Sequence, residues 1–116
     1  MTVKEAYEKI GADYDDVLKR LMKPDFVERF AGKFLDDGSF EQLRQGLEDA
    51  DPKTAFLGAH TLKGVCQNLG LSNLFEPANE LCESLRGGEI PENADQMFEI
   101  VKAEYEKTVE ALREAL

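Results

Sequence analysis

The segment DPKTAFLGAHTLKGVCQNLG, residues 51–70, has clear helix boundary signals at both of its ends. Asp51 followed by Pro52 is typical of a helix start, because aspartate caps the first turn and proline fits the first helical position. Gly70 is suited to the left-handed conformation that often ends a helix. We therefore predict one helix that begins at Pro52 and continues to Leu69.

The two sides of this predicted helix differ in character. When successive residues are placed about 100° apart around the helix axis, they form one apolar seam that is expected to face a core. The members of the seam are Ala55, Ala59, Leu62, Cys66 and Leu69. His60, Gly64 and Gln67 point roughly the opposite way, with Lys53 beside them and Lys63 on their flank.

His60 is the only histidine of the chain, and its neighbours favour a chemical role over an ordinary surface position. Gly64 lies in mid-helix, where a glycine costs about 1 kcal/mol relative to alanine. Because it faces outward, it would let another protein approach the imidazole without meeting a side chain. Lys63 is either a solvated surface lysine or a cation that neutralises phosphoryl oxygens on the imidazole.

The rest of the chain divides into further helical segments. Thr2 and Glu5 form a predicted capping box, and Gly11 is expected to end the first helix. Gly38 is expected to take a left-handed position at a helix end, with Ser39 capping the next helix. The predicted helices, by residue number, are 2–10, 13–22, 25–35, 40–50, 52–69, 72–86 and 94–116.

The lengths and one-sided apolar patterns of these helices predict an all-α fold. We expect an antiparallel four-helix bundle, arranged up-down-up-down and joined by short loops. Residues 1–22 are predicted to form short N-terminal helices that cover one end of the bundle. No linker or internal repeat divides the chain, so residues 1–116 are expected to form a single domain.

Composition argues against several classes of partner. The chain carries 24 acidic and 14 basic residues, a net charge of −10, without a stripe of lysine and arginine. Nucleic acids and anionic membranes are therefore not expected as partners. We recognise no signal peptide and no apolar run near the ~20 residues of a membrane span. Two cysteines are too few for a disulfide scaffold, so we expect the protein in the reducing cytoplasm. We expect a monomer because the chain is a small acidic bundle with one closed core.

The string AHTLKG at residues 59–64, followed by Gly70 and Leu74, resembles the signature of histidine-containing phosphotransfer (HPt) domains. These domains are four-helix bundles that relay phosphoryl groups in two-component phosphorelays. The resemblance implies that the partners are histidine kinases or hybrid kinases and the receiver domains of response regulators. It also implies a carrier without a cofactor of its own, with Mg²⁺ bound only by the receiver.

The resemblance assigns a role to each residue of the outward face that matches the motif. His60 would accept and donate the phosphoryl group. Lys63 would balance the charge of that group, and Gly64 would leave clearance for the partner.

Two features of the site are left open by the sequence. Many HPt domains place a glutamine on the next helix, where it bonds the imidazole, but that region here has Asn79 and Cys82. Gln67 is expected either to bond the imidazole in place of that glutamine or only to contact a protein partner. Phe56 and Leu57 flank the histidine face and are either packed under a neighbouring helix, such as the N-terminal cover, or part of an apolar docking surface.

Other kinds of site are less well supported. His60 and Cys66 lie on nearly opposite faces of one helix, which argues against a metal site and against a cysteine nucleophile activated by histidine. No glycine-rich phosphate loop is present, so we expect a carrier and not a kinase. The remaining alternative is a helical adaptor that binds signalling partners without being phosphorylated.

Overall fold

The computed structural model describes all 116 residues and contains seven α-helices without a strand. The helices are α1 Val3–Ile10, α2 Tyr14–Leu21, α3 Pro24–Leu35, α4 Ser39–Glu48, α5 Pro52–Leu69, α6 Ser72–Leu85 and α7 Ala94–Ala115. The predicted all-α class is confirmed, and each predicted helix is present with small shifts at its ends. No helix combines the length and the apolar character that crossing a membrane would need.

The capping signals at the start of the chain act as predicted. The Glu5 backbone N–H donates to the Thr2 hydroxyl at 3.1 Å, and the Thr2 backbone N–H donates to the Glu5 carboxylate at 2.9 Å. Gly11 ends α1 in the left-handed conformation, with φ at 76°. Together these residues fix both ends of a helix that would be too short to form alone.

The turn between α3 and α4 corrects two predictions. Gly38 has φ at −91° and is not left-handed, and Ser39 is the first helical residue and not the cap. Asp37 supplies the local bonds, since its carboxylate accepts from the Ser39 backbone N–H at 2.9 Å and from the Ser39 hydroxyl. The left-handed residue lies instead after α4, at Ala50, with φ at 52°.

Glycines allow α4 and α5 to lie very close to each other. A Cβ atom on Gly46 would lie 2.3 Å from the Ala55 backbone nitrogen, and one on Gly58 would lie 2.4 Å from that of Leu43. Both positions therefore need glycine for this approach. As α5 advances from Ala55 to Gly58, its contact on α4 moves back from Gly46 to Leu43, so the two helices are antiparallel.

α6 runs antiparallel to α5 along another side. Near the start of α5, the Phe56 ring lies under the Arg86 guanidinium, which follows α6. Further along α5, Lys63 contacts Asn79 in the middle of α6. The up-down-up-down order of a complete four-helix bundle stays a prediction.

Aromatic and polar contacts join α7 to the other helices. The Phe40 ring of α4 stacks on Tyr105 with ring centroids 4.0 Å apart, and on Phe98 with centroids 5.4 Å apart. On α6, the Asn73 side-chain nitrogen donates to the Thr108 hydroxyl at 3.0 Å. One cluster of 25 buried apolar residues draws members from all seven helices.

The N-terminal helices form a cover over one end of the helices, as predicted, and that end is the carboxyl end of α5. The fully buried Tyr7 hydroxyl donates to the Leu69 carbonyl at 2.7 Å. The Asp13 backbone N–H donates to the Gly70 carbonyl at 2.8 Å. The Arg20 side chain donates to two further carbonyls at this end of α5, at 2.7 and 3.2 Å. Carbonyls that a helix end leaves without intrahelical donors are thereby satisfied.

We expect Tyr7→Phe to lower the free energy of unfolding by about 1–2 kcal/mol, because the Leu69 carbonyl loses a buried donor. Chemical denaturation measures this change. Tyr14→Phe is the matched control, since that ring packs edge-on against Tyr7 at 5.6 Å and its hydroxyl takes part in no hydrogen bond of the structure. An equal loss in both variants would contradict the assignment.

Candidate functional site

The orientation of α5 buries its apolar seam and leaves His60 on the opposite side of the helix. Ala55, Ala59, Leu62 and Cys66 are fully buried, and Leu69 is nearly so, which confirms the predicted apolar seam. His60 is exposed on the other side of the helix. The imidazole forms none of the hydrogen bonds of the structure. Its ring nitrogens are therefore open to a reaction partner.

An aromatic stack and not a hydrogen bond holds the imidazole. The half-buried Phe56 lies one turn before His60, and the two rings stack with centroids 5.7 Å apart and an interplanar angle of 21°. The Arg86 guanidinium lies over Phe56, 5.2 Å from the ring centroid. Neither Asn79 nor Gln67 forms a hydrogen bond with the imidazole in this structure, and Asn79 instead accepts from Lys63.

Lys63 is fixed to α6 in this structure. Its ammonium donates to the Asn79 side-chain oxygen at 3.1 Å and to the Glu83 carboxylate at 3.3 Å. The side chain retains 19% of its surface exposed. The predicted proximity to His60 follows from the three-residue spacing on α5, but the ammonium itself is held by the neighbouring helix.

Glu83 binds two cations at once. Arg86 donates to both carboxylate oxygens at 2.9 Å, through Nε and Nη2, while Lys63 approaches one of them. The hydrogen bonds from Arg86, and then those from Lys63, lower the pKa of Glu83 to about 2. The carboxylate is therefore ionised throughout the neutral range, and acid would disrupt this network only near that pKa.

Glu83 and Arg86 were not among the predicted site residues. Their three-residue spacing, with Glu83 in the last turn of α6 and Arg86 directly after it, was a readable signal for a local ion pair. Their proximity to the motif was not readable, because it depends on how α6 is placed along α5.

The remaining predicted site residues are exposed or border open space. Around Gly64 there is free space, since a Cβ atom there would meet no atom within 4 Å. Leu57 is 45% exposed, and Lys53 and Gln67 are exposed as well. The N-terminal helices contact the opposite end of α5, so they do not bury Phe56 or Leu57.

Cysteine chemistry is not available at this surface. Cys66 is fully buried, and burial raises the pKa of its thiol to about 12. Cys82 is also fully buried, and burial raises the pKa of that thiol. No group of three or more histidine, cysteine or acidic side chains is arranged to hold a metal ion.

Comparison with known proteins identifies the family. Residues 30–116 match the family described as Hpt domain, and the chain belongs to this family. Hpt domains act in histidine phosphotransfer within phosphorelays, as phosphocarrier modules and not as kinases, and they interact with kinases and receiver domains. Neither the curated proteins nor the solved structures contain a significant match to the chain.

Two glycines of α5 should respond oppositely to alanine. We expect Gly64→Ala to raise the free energy of unfolding by about 0.5–1 kcal/mol, because alanine favours the helix and its methyl group meets open space. Gly58→Ala should lower it by about 1–3 kcal/mol, because the methyl group would overlap the Leu43 backbone. Denaturation of both variants checks this pair. A loss of stability in Gly64→Ala would contradict the open approach.

Proposed function

We propose that His60 accepts a phosphoryl group from one signalling partner and donates it to another in a two-component phosphorelay. The observation that carries the proposal is the exposed imidazole, unbonded at both ring nitrogens, on the motif helix of an Hpt domain. It is the only imidazole in the chain. The alternative is an adaptor that uses the same surface to bind partners without phosphorylation.

The proposed reaction requires of this chain a nucleophilic ring nitrogen and a nearby cation. A ring nitrogen of His60 attacks the phosphorus of an aspartyl phosphate on a receiver domain. The N–P bond forms as the O–P bond breaks, and the aspartate leaves as a carboxylate. The reverse step passes the group to another receiver. Phosphoryl transfer depends mainly on positioning and charge neutralisation, which the partner's carboxylates and Mg²⁺ would supply together with Lys63.

The surface around His60 suits a protein partner. Leu57 and Phe56 would provide apolar contact, Gly64 the clearance, and Gln67 and Lys53 a polar margin. We propose that receiver domains and a histidine kinase or hybrid kinase use this surface in turn. We further propose that the protein is a cytoplasmic monomer without a cofactor of its own.

Incubation with a phosphorylated receiver domain or a small phosphoramidate, followed by intact-mass measurement, tests the function. We expect the gain of one phosphate that is labile in acid and stable in alkali, as an N–P bond requires. His60→Gln should gain none. Absence of the gain with several competent donors, in a protein that still binds receivers, would favour the adaptor.

Lys63→Ala should shorten the lifetime of the phosphohistidine and slow its transfer. We expect an effect of about tenfold, below the 100-fold or more typical of enclosed oxyanion sites, because solvent screens this surface. Loss of radiolabel from the isolated phosphoprotein measures the lifetime. Lys102→Ala, an exposed lysine of α7, is the control. Equal lifetimes in both variants would contradict the role of Lys63.

A further inference from the structure

The Lys63 ammonium is already paired with an anion in the unphosphorylated protein. Glu83 Oε1 lies 3.3 Å from Lys63 Nζ, and both residues face each other across α5 and α6. A phosphoryl group on His60 would present further oxygens, with about two negative charges, to the same lysine. The Glu83 carboxylate therefore pairs with the same ammonium that would neutralise the phosphoryl group on His60.

We propose that Glu83 is a positioning residue that competes with the phosphoryl group of His60 for the Lys63 ammonium. This inference rests on the proposed phosphorylation of His60. In the unphosphorylated protein Glu83 holds Lys63 against α6. On phosphorylation the ammonium moves to a phosphoryl oxygen, and Glu83 releases it. Because Lys63 must leave Glu83, the phosphohistidine is less stable than it would be beside a lysine without an anionic partner. This lower stability favours transfer of the phosphoryl group to the next receiver.

The surrounding contacts keep the free-energy cost of releasing Lys63 from Glu83 small. Arg86 binds both oxygens of Glu83 and remains when Lys63 leaves, so the carboxylate keeps a cationic partner. Asn79 is neutral and offers Lys63 one oxygen at 3.1 Å, which guides the ammonium without competing through charge. Lysine has a flexible stem and three donors, so it can change partners by rotation of its side chain.

Glu83→Gln tests the competition because it removes the charge and preserves the shape. We expect the half-life of the phosphohistidine in the isolated protein to rise about two- to fivefold, the range of exposed ion pairs. In the measured hydrolysis, water adds to phosphorus, the N–P bond breaks, and inorganic phosphate and the free imidazole form. The equilibrium with a phosphorylated receiver should shift toward the phosphohistidine by a similar factor.

Glu114→Gln is the matched control. Glu114 pairs with Lys9 at 3.5 Å, between α7 and α1, so its loss also removes one negative charge and one exposed pair between helices. This variant should keep the wild-type half-life. A half-life in Glu83→Gln that is unchanged, or shorter than wild type, would overturn the proposal.

A double variant separates competition for Lys63 from direct repulsion by the carboxylate. In a Lys63→Ala background, Glu83→Gln should leave the half-life unchanged, because no ammonium remains to be released. The same gain in that background would show that Glu83 acts without Lys63, either through space or through Arg86, which it also binds. The competition for Lys63 would then be wrong.

Nitrogen NMR of the Lys63 ammonium gives a readout that does not need phosphorylation. The signal should change in unphosphorylated Glu83→Gln, because one of its two partners loses its charge, and not in Glu114→Gln. An unaltered signal in Glu83→Gln would overturn this inference while leaving the phosphorylation of His60 intact. A wild-type protein that gains no phosphate would overturn the proposed function, and the NMR result would still report the ion pair.

Discussion

The close approach of α4 and α5 is the constraint on which the rest of the structure depends. Gly46 and Gly58 bring the two backbones together where no side chain would fit. Gly58 lies almost opposite His60 on the helix, because a step of two residues at about 100° each turns the side-chain direction by about 200°. Contact of the glycine side with α4 therefore leaves the histidine side in solvent. The exposure of the imidazole is a consequence of packing on the far face of α5.

Much of this arrangement could be predicted from local sequence. The seam of α5, the capping box at Thr2 and the left-handed Gly70 follow from spacing and backbone preference, which act within a few residues. The turn at Gly38 could not be assigned in the same way. The Asp36 and Asp37 backbone N–H groups donate to the carbonyls at the end of α3 without a left-handed glycine. The Asp37 carboxylate accepts from Ser39, which therefore begins the next helix and does not cap it. Ala50 adopts the left-handed conformation although glycine is the usual residue in that conformation.

The candidate site was predictable on one helix and not between helices. Sequence spacing placed Lys63 near His60, because both residues are on α5. Its two partners on α6 depend on the relative placement of the helices, which no local pattern specifies. The same holds for the Arg86 contact with Phe56. The surroundings of His60 are thus set by tertiary contacts, although the histidine itself is recognised by its motif.

The N-terminal helices have a consequence for where the unit of folding begins. The family match starts at residue 30, yet Tyr7 and Val17 are fully buried, and Tyr7 bonds the last turn of the motif helix. A fragment cut at the family boundary would expose the apolar side chains that these residues cover and would leave the end of α5 without its donors. The helix that carries His60 is therefore anchored by a part of the chain that the family signature does not include.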